Sequence, residues 1–442
     1  MGAAYWGKRV ALVERASTPG GAMVGGAVSS KTMREAALYL TGFKRRNLYD
    51  IGLEMNPEVV IDRLRRRTDT VIAMVTDNAV ANLSRHGVDV VIGQAKLGPE
   101  RTVIVHQADE RPRTLSAPVI IIATGSRPSH PPGIPFDDPD ILDSDAAALL
   151  DRPLRSLVVV GGGAVGCEFA SIFMALGADV TLVDSGPRLL PFMDGEIADQ
   201  LAATFRDGGM RIVQDAGRAT ATRTPSGIRI DLPSGESLWP EKAIFATGRV
   251  GSTEDLGLDV AGVATDDRGR VVVDDHYQTT VGGIYAAGDV IGPPALASVS
   301  IEQARIAVRW AFDLPLTRSI DPVPPFGVYS VPEAAMVGLT EEAAATQGLE
   351  FGVGRARFGG NTRSAISGAT DGLVKLVFRA DSLELLGVHL LGDAATELIH
   401  IGQAVLHFGG TIEHFIDATY NVPTMSEAYK YAAYDGITAI GR

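Results

Sequence analysis

A chain of 442 residues with 45% hydrophobic and only 6% aromatic content, and with 50 glycines, has room for two or three domains and the turn-rich profile of an α/β enzyme. Its formal charge of −13 excludes the Lys- and Arg-driven grip on a polyanion, so no nucleic-acid partner is expected. The single cysteine, Cys167, excludes an intrachain disulfide, a dithiol couple and a cysteine-based metal cluster, and no metal site is expected.

No apolar run approaches the ~18 residues of a membrane span, and the N-terminus lacks the regions of a signal peptide. The expectation is a cytoplasmic protein with no membrane contact. The basic clusters Lys44-Arg45-Arg46 and Arg63 to Arg67 stand in charge-mixed helical patterns and read as solvated faces.

In chain order, "GKRVALVER" reads as a short buried strand, Val10 to Val13, ending on Glu14. A glycine-rich loop, "GGAMVGGAVSSK", follows. Its spacing fits neither the P-loop pattern nor G-x-G-x-x-G, so it is not a phosphate cradle. Amphipathic helical stretches run from about Thr32 to Arg85. The segments "VDVVIGQAKL", "TVIVHQ" and "PRTLSA" then suggest an antiparallel meander. "VIIIATG" brings an apolar run, Val119 to Ile122, of the kind buried on both faces of a sheet, and Thr124-Gly125 lets the backbone pass close to a neighbour.

After the linker "RPSHPPGIP" a second unit opens at Leu157 as strand, glycine turn, helix and strand. Gly161, Gly163 and Gly166 form G-x-G-x-x-G between a strand and a helix, a context that points to dinucleotide binding. Asp184 ends the next strand, where an acid accepts hydrogen bonds from an adenosine ribose and favours NAD(H). Arg188 is near enough in sequence to help accommodate NADP(H). Glu14 holds the equivalent strand-end position in the first unit.

"KAIFATGR" repeats the pattern of "VIIIATGS", so two nucleotide-binding halves are expected. "GGIYAAGDV" places a strand before Gly288-Asp289, and "SVSIEQARIAVRWAF" is strongly helical. From about Pro322 strands and helices alternate as a third, α+β domain, in which His389, His400, His407 and His414 read as structural or interface residues.

These stretches together resemble the flavin-dependent pyridine nucleotide disulfide oxidoreductases, from about Arg9 to the C-terminal "YNVPTMSEAYKYAA". The resemblance implies two Rossmann-like domains, for FAD and for NAD(P), and a C-terminal α+β dimerisation domain. The expected boundaries are 1–150 for the FAD domain, 151–265 for the NAD(P) domain, 266–320 for a return to the FAD domain and 321–442 for dimerisation. FAD, NAD(H) and NADP(H) are implied as cofactors, nicotinamide nucleotides as substrates and a homodimer as the assembly.

By the same resemblance Asp289 holds the ribityl chain, while Lys31 stands by flavin N5 and pairs with Glu168. Gly21, Thr124, Gly125, Gly248, Gly288 and Ala297 then line the nucleotide sites with Glu14, Gly161, Gly163, Gly166 and Asp184. The family's first strand and glycine turn, roughly 25 to 30 residues, are not found ahead of "MGAAYWGKRVALVER".

Members of the family carry a loop cysteine pair and a C-terminal His-Pro-Thr. Here the loop has no cysteine, and Val422 stands where that histidine would be. What remains is hydride exchange between flavin and nicotinamide, and within the family the chain is most similar to the soluble, Si-specific NAD(P)+ transhydrogenases. The alternatives are a diaphorase-like oxidoreductase acting on quinones, and a flavin-free dimer that only binds nucleotide.

Overall fold

The structure, a computed structural model, describes residues 2–16, 19–21, 23–42, 56–108, 111–149, 152–315 and 323–442. The basic cluster Lys44 to Arg46 lies outside the described residues. The chain divides into two compact units, residues 1–32, 66–129 and 248–322 in the first, and 33–65, 130–247 and 323–442 in the second.

The first unit is built from small sheets. Ala11–Glu14 pairs in parallel with Asp89–Ile92, and Ile120–Ile122 pairs in parallel with Ile284–Ala286, as two separate ribbons. Gln94–Gly98, Thr102–His106 and Arg113–Ser116 form an antiparallel sheet. The expected meander therefore begins one segment later than "VDVV", which belongs to a parallel pair. Gly93 makes the switch, because a Cβ there would stand 2.7 Å from Val105 and 2.8 Å from the His106 carbonyl.

The core of this unit gathers Leu97, Ile122, Leu256, Ile284 and Val290. Two expectations of full burial fail. No residue of Ala11–Glu14 is buried, and in Ile120–Ile122 only Ile122 is. A ribbon of two strands offers too little sheet for both faces to be covered, so an apolar β-branched run does not by itself guarantee burial.

The glycine-rich stretch also departs from the expected loop. A π-helical turn, Met23–Val28, runs directly into the helix Ser29–Thr41, so Gly25 and Gly26 lie in helical backbone. Left-handed backbone occurs at Gly20 (φ 134°) and Gly21 (φ 47°). In the long helix Pro57–Arg85, Arg63, Arg65, Arg66 and Arg67 are exposed while Leu64 and Thr68 are buried, the pattern of a solvated face over an apolar stripe.

The second unit contains a five-stranded parallel sheet in the order Arg211–Val213, Asp179–Val183, Ser156–Val160, Lys242–Phe245, Ile141–Asp143. Its central strand "SLVVV" is β-branched and buried from Leu157 to Val160. The helix Ala164–Ala175 is buried along its length from Gly166 onward. A five-stranded antiparallel sheet follows, ordered Phe326–Val328, Ala334–Gly338, Leu385–Leu391, Leu373–Arg379, Phe351–Arg357, with Ala395–His407 and Ala428–Ala439 packed on it.

An ionic cluster around buried Lys375 and Asp194 ties the antiparallel sheet to the starts of two helices, Gly195–Asp207 and Glu341–Thr346. Lys375 Nζ stands 2.8 Å from Asp194 Oδ1, 2.6 Å from Glu341 and 3.1 Å from Glu196. Asp194 is at once the N-cap of Gly195–Asp207, accepting from the Glu196 amide, and an acceptor for the Glu341 amide. Burial opposes the charge on both partners, yet the Lys375 ammonium is held above its ordinary range by Asp194 and Glu341. Burial opposes its charge too, yet the Asp194 carboxyl is held below its ordinary range by the hydrogen bond and charge of Lys375 and by the Glu341 amide.

Candidate functional site

The glycine turn of the second unit is shaped by sterics that only glycine meets. Gly161 adopts φ +117°, and a Cβ there would lie 2.4 Å from the Ala246 carbonyl oxygen. A Cβ on Gly166 would lie 1.8 Å from Gly161 O, so this glycine lets helix and strand close together. Gly163 is different: a Cβ there meets nothing within 4 Å. It is the N-cap of Ala164–Ala175, and no side chain caps that helix start. Free amide donors, a positive dipole end and open space beside Gly163 fit a pyrophosphate.

Asp184 closes the same turn. Its Oδ1 accepts from the Gly162 amide at 2.8 Å and its Oδ2 from the Gly186 amide at 3.3 Å, which fixes the carboxylate at the strand end. Arg188 does not face it freely: its guanidinium pairs with Asp199 at 3.1 Å and with Glu342 at 3.4 Å. Cys167 lies beneath the turn, fully buried, with Sγ donating to Gly162 O at 3.4 Å. Burial, reinforced by the Asp184 charge, pushes its thiol well above the ordinary range, which leaves it inert as a nucleophile.

In the first unit a second set of expected residues converges. Asp289 Oδ2 accepts from Ser126 Oγ at 2.7 Å, and Arg249 donates to Ser126 Oγ and to Ser126 O, each at 2.8 Å. Gly288, at φ +82°, donates its amide to Gln303 on the helix Ala297–Phe312 at 2.7 Å. Thr124 Oγ1 donates to Ser252 O at 2.7 Å, and the Ser252 amide donates to Gly125 O at 2.9 Å. Positive φ at Gly125 and Gly248, with nothing within 4 Å of either would-be Cβ, leaves open space along this edge.

Gly21 is likewise open, and Ala297 starts a helix that no side chain caps. Glu14 ends its strand, with Oε1 accepting from the Ala16 amide at 3.0 Å. Ser126, Arg249 and Gln303 were not singled out from sequence. Ser126 and Arg249 each stand directly after one of the two quoted Ala-Thr-Gly stretches, whereas Gln303 carries no local signature.

For FAD, the Asp289 end and the strand-end Glu14 offer suitable oxygens. Among the described residues of this unit no G-x-G-x-x-G turn stands between a strand and a helix start. These two acids are of the kind that accepts hydrogen bonds from ribityl and ribose hydroxyls.

Lys31 lies in the first turn of Ser29–Thr41, half-buried, with Nζ 3.5 Å from Ser30 Oγ. Glu168, in the second unit, is buried, and its Oε1 accepts from the Tyr329 amide at 2.9 Å. At the C-terminal position, Val422 is exposed and carries no group able to move a proton. Of the four histidines, His389 is fully buried with Nε2 donating to Leu339 O at 2.9 Å, His400 bonds Gln403, and His407 and His414 rest on Phe408 and Phe415. Among the described residues no group of His, Cys, Asp and Glu could hold a metal ion, and no helix is long and apolar enough to cross a membrane.

Comparison with known proteins bears on the same regions. Residues 1–309 match the family described as pyridine nucleotide-disulphide oxidoreductase, and residues 324–433 match its dimerisation domain. A soluble pyridine nucleotide transhydrogenase of Mycobacterium bovis (strain BCG / Pasteur 1173P2) is 42% identical over 444 residues, covering 98% of this chain and 93% of that protein. One from Marinomonas sp. (strain MWYL1) is 38% identical, covering 100% and 95%. Among solved structures, LpdA from Mycobacterium tuberculosis superposes with TM-score 0.88 at 26% identity, covering 98% and 95%. The HOCl-induced flavoprotein disulfide reductase RclA from Escherichia coli superposes with TM-score 0.87 at 27% identity, covering 98% and 95%.

Proposed function

The chain belongs to the pyridine nucleotide-disulphide oxidoreductase family, and we propose that it moves hydride from NADPH to NAD+ through a bound FAD, as a soluble, Si-specific transhydrogenase. One observation carries this reading: the glycine turn with Asp184 and the hydrogen-bonded Gly288-Asp289 turn are both built, while the chain's one cysteine is sealed beneath Gly162. The names of the full-length relatives support it.

The net exchange, NADPH + NAD+ giving NADP+ + NADH, takes up and releases no proton. A chain with Val422 at the C-terminal position therefore lacks nothing this reaction needs, whereas disulfide reduction requires an acid to protonate thiols. FAD, when bound, supplies a reversible hydride acceptor between the two nucleotides.

The protein's part is placement and charge. Asp289, backed by Ser126 and Arg249, holds the ribityl hydroxyls, and Glu14 holds the adenosine ribose. Gly161, Gly163 and Gly166 seat the nicotinamide nucleotide's pyrophosphate, with Asp184 on its ribose. Lys31 would set a cation by N5 that favours electron-rich flavin, the family resemblance giving it Glu168 as counter-ion. In this reading residues 1–150 and 266–320 form the flavin domain, 151–265 the nicotinamide domain and 321–442 the dimer-forming domain of a cytoplasmic homodimer. Exposed Phe408, Val422, Tyr431 and Tyr434 on the last domain support that assembly.

The test is the visible spectrum of the purified chain under anaerobic NADPH. The reading expects a flavin band that NADPH bleaches and NAD+ restores. Absence of flavin favours the nucleotide-binding dimer, and reoxidation by quinones but not by NAD+ favours the diaphorase.

A further inference from the structure

The helix Ser29–Thr41 carries Lys31 in its first turn and, one turn on, a buried arginine with no place in the functions above. Arg34 Nε donates to Ser330 O at 2.9 Å, and its Nη2 stands 3.2 Å from Glu333 Oε1. Glu333 is itself fully used: its Oε2 accepts from the Thr396 amide at 3.1 Å and the Thr396 hydroxyl at 2.7 Å. Met33 and Ala37, flanking Arg34 on the helix, are 0% exposed, so this stretch is locked by packing as well as by charge.

The turn that receives Arg34 also receives the nicotinamide-side helix. Glu168 Oε1 accepts from the Tyr329 amide at 2.9 Å, and Ser171 Oγ accepts from the Val331 amide at 3.0 Å while donating to Glu168 O at 2.9 Å. Ser330 Oγ donates to Pro332 O at 2.7 Å, and Gly392 donates its amide to Glu333 O at 2.8 Å, which fixes the turn from within and from the sheet. One five-residue segment, Tyr329 to Glu333, is thus bonded to the helices bearing both expected catalytic side chains.

We propose that Arg34 is a positioning residue for hydride transfer, which sets Lys31 by pinning its helix to the Ser330–Glu333 turn that also orients Glu168. This rests on the reading that Lys31 stands by the flavin. A guanidinium suits the task, since its planar fork reaches the Ser330 carbonyl and the Glu333 carboxylate together and so defines rotation about the helix axis where a lysine would not. A buried pair of this kind contributes modestly to stability but removes alternative helix registers, and a small displacement of a charge beside a reacting atom is costly to rate.

The experiment compares flavin-loaded wild type with Lys31→Met, Arg34→Lys, Glu333→Gln and the Lys31→Met/Arg34→Lys double variant, reading the flavin midpoint potential by dye equilibration and the rate of reduction by NADPH. Lys31→Met is expected to lower the potential, because electron-rich flavin loses its cation. Arg34→Lys and Glu333→Gln should lower it in the same direction by less, and the double variant should fall no further than Lys31→Met alone.

Reduction should slow about tenfold in Arg34→Lys with the KM for NADPH within about twofold of wild type, since the Asp184 turn is untouched. Should Arg34→Lys fail to hold flavin, Glu333→Gln carries the test, because it removes the turn's charge facing Arg34, whose other carboxylate partner, Glu35, lies on its own helix, and leaves an acceptor for Thr396. Wild-type potential and rate in Arg34→Lys and Glu333→Gln, with only the melting temperature lowered, would overturn the role of Arg34 and leave Lys31 standing. An unchanged potential in Lys31→Met would overturn the placement of Lys31 and this inference with it.

Discussion

Asp184 Oδ1 accepts the Gly162 amide at 2.8 Å, so the strand-end acid and the glycine turn form one fixed assembly before any nucleotide arrives. In the proposed reading, replacing Asp184 by Ala removes a charged acceptor from both the turn and the nucleotide's ribose. A loss of about 1.5–3 kcal/mol is expected, which weakens NADH binding roughly 10- to 100-fold by calorimetry. Unchanged affinity would remove Asp184 from the ribose site.

Gly163 and Gly166 should separate binding from folding. A methyl at Gly163 meets open space, so Gly163→Ala should keep its melting temperature and lose nucleotide affinity as the methyl occupies the pyrophosphate's path. A methyl at Gly166 would stand 1.8 Å from Gly161 O, so Gly166→Ala should lower the melting temperature as the helix is forced off the strand. Equal melting behaviour in the two variants would contradict these assignments.

Buried Lys375 holds three carboxylates, of which Asp194 is buried with it. Lys375→Met leaves Asp194 without its cation and should cost about 3–5 kcal/mol in denaturant unfolding. Adding Asp194→Asn to that variant should recover part of the loss, since the two sites share one interaction. Additive losses would show that they act independently.

His389 predicts a pH dependence. It is fully buried, and burial depresses its protonation below the ordinary 6.5, although Asp194 opposes this and Lys375 and Glu342 also face it. The unfolded chain therefore binds more protons than the native one below pH 6.5, and stability falls as the pH drops from there. Asp194, depressed from 3.8, adds its own loss only below pH 3.8. His389→Gln should flatten the slope that begins near pH 6.5 and keep the steeper one below pH 3.8. Superimposable slopes for the two proteins above pH 4 would contradict the buried neutral histidine.

Cys167 predicts insensitivity to thiol chemistry. Its Sγ is buried under Gly162, so a maleimide should label it only after unfolding, and Cys167→Ala should retain hydride exchange. Rapid inactivation of the native protein by thiol reagents would contradict the thiol-free mechanism.

What could be read from the sequence follows from how local each signal is. The turn of Gly161, Gly163 and Gly166 declares itself because two steric demands and one open position fall within one turn, and the acid bonded to that turn ends the next strand. The same logic placed Gly288-Asp289 after its strand. Long-range partners left no such trace: Ser126 meets Asp289, and Arg249 meets Ser126, each across more than a hundred residues, and Arg34 finds Ser330 only through the tertiary fold.

Burial was misread where an apolar run implied two covered faces, as at Val10 to Val13 and Val119 to Ile122, because burial depends on how many strands stand beside each run. The glycines of "GGAMVGG" read as loop because glycine usually marks one, yet at Gly25 and Gly26 the backbone stays helical.

The central claim is that hydride passes from one nicotinamide nucleotide to the other at a single flavin, with no thiol involved. Initial rates of NAD+ reduction by NADPH, measured on the flavin-loaded protein over a grid of both nucleotides, test it most directly. Parallel double-reciprocal lines, unchanged in Cys167→Ala, are the predicted result. A flavin that NADPH reduces and NAD+ cannot reoxidise would contradict it.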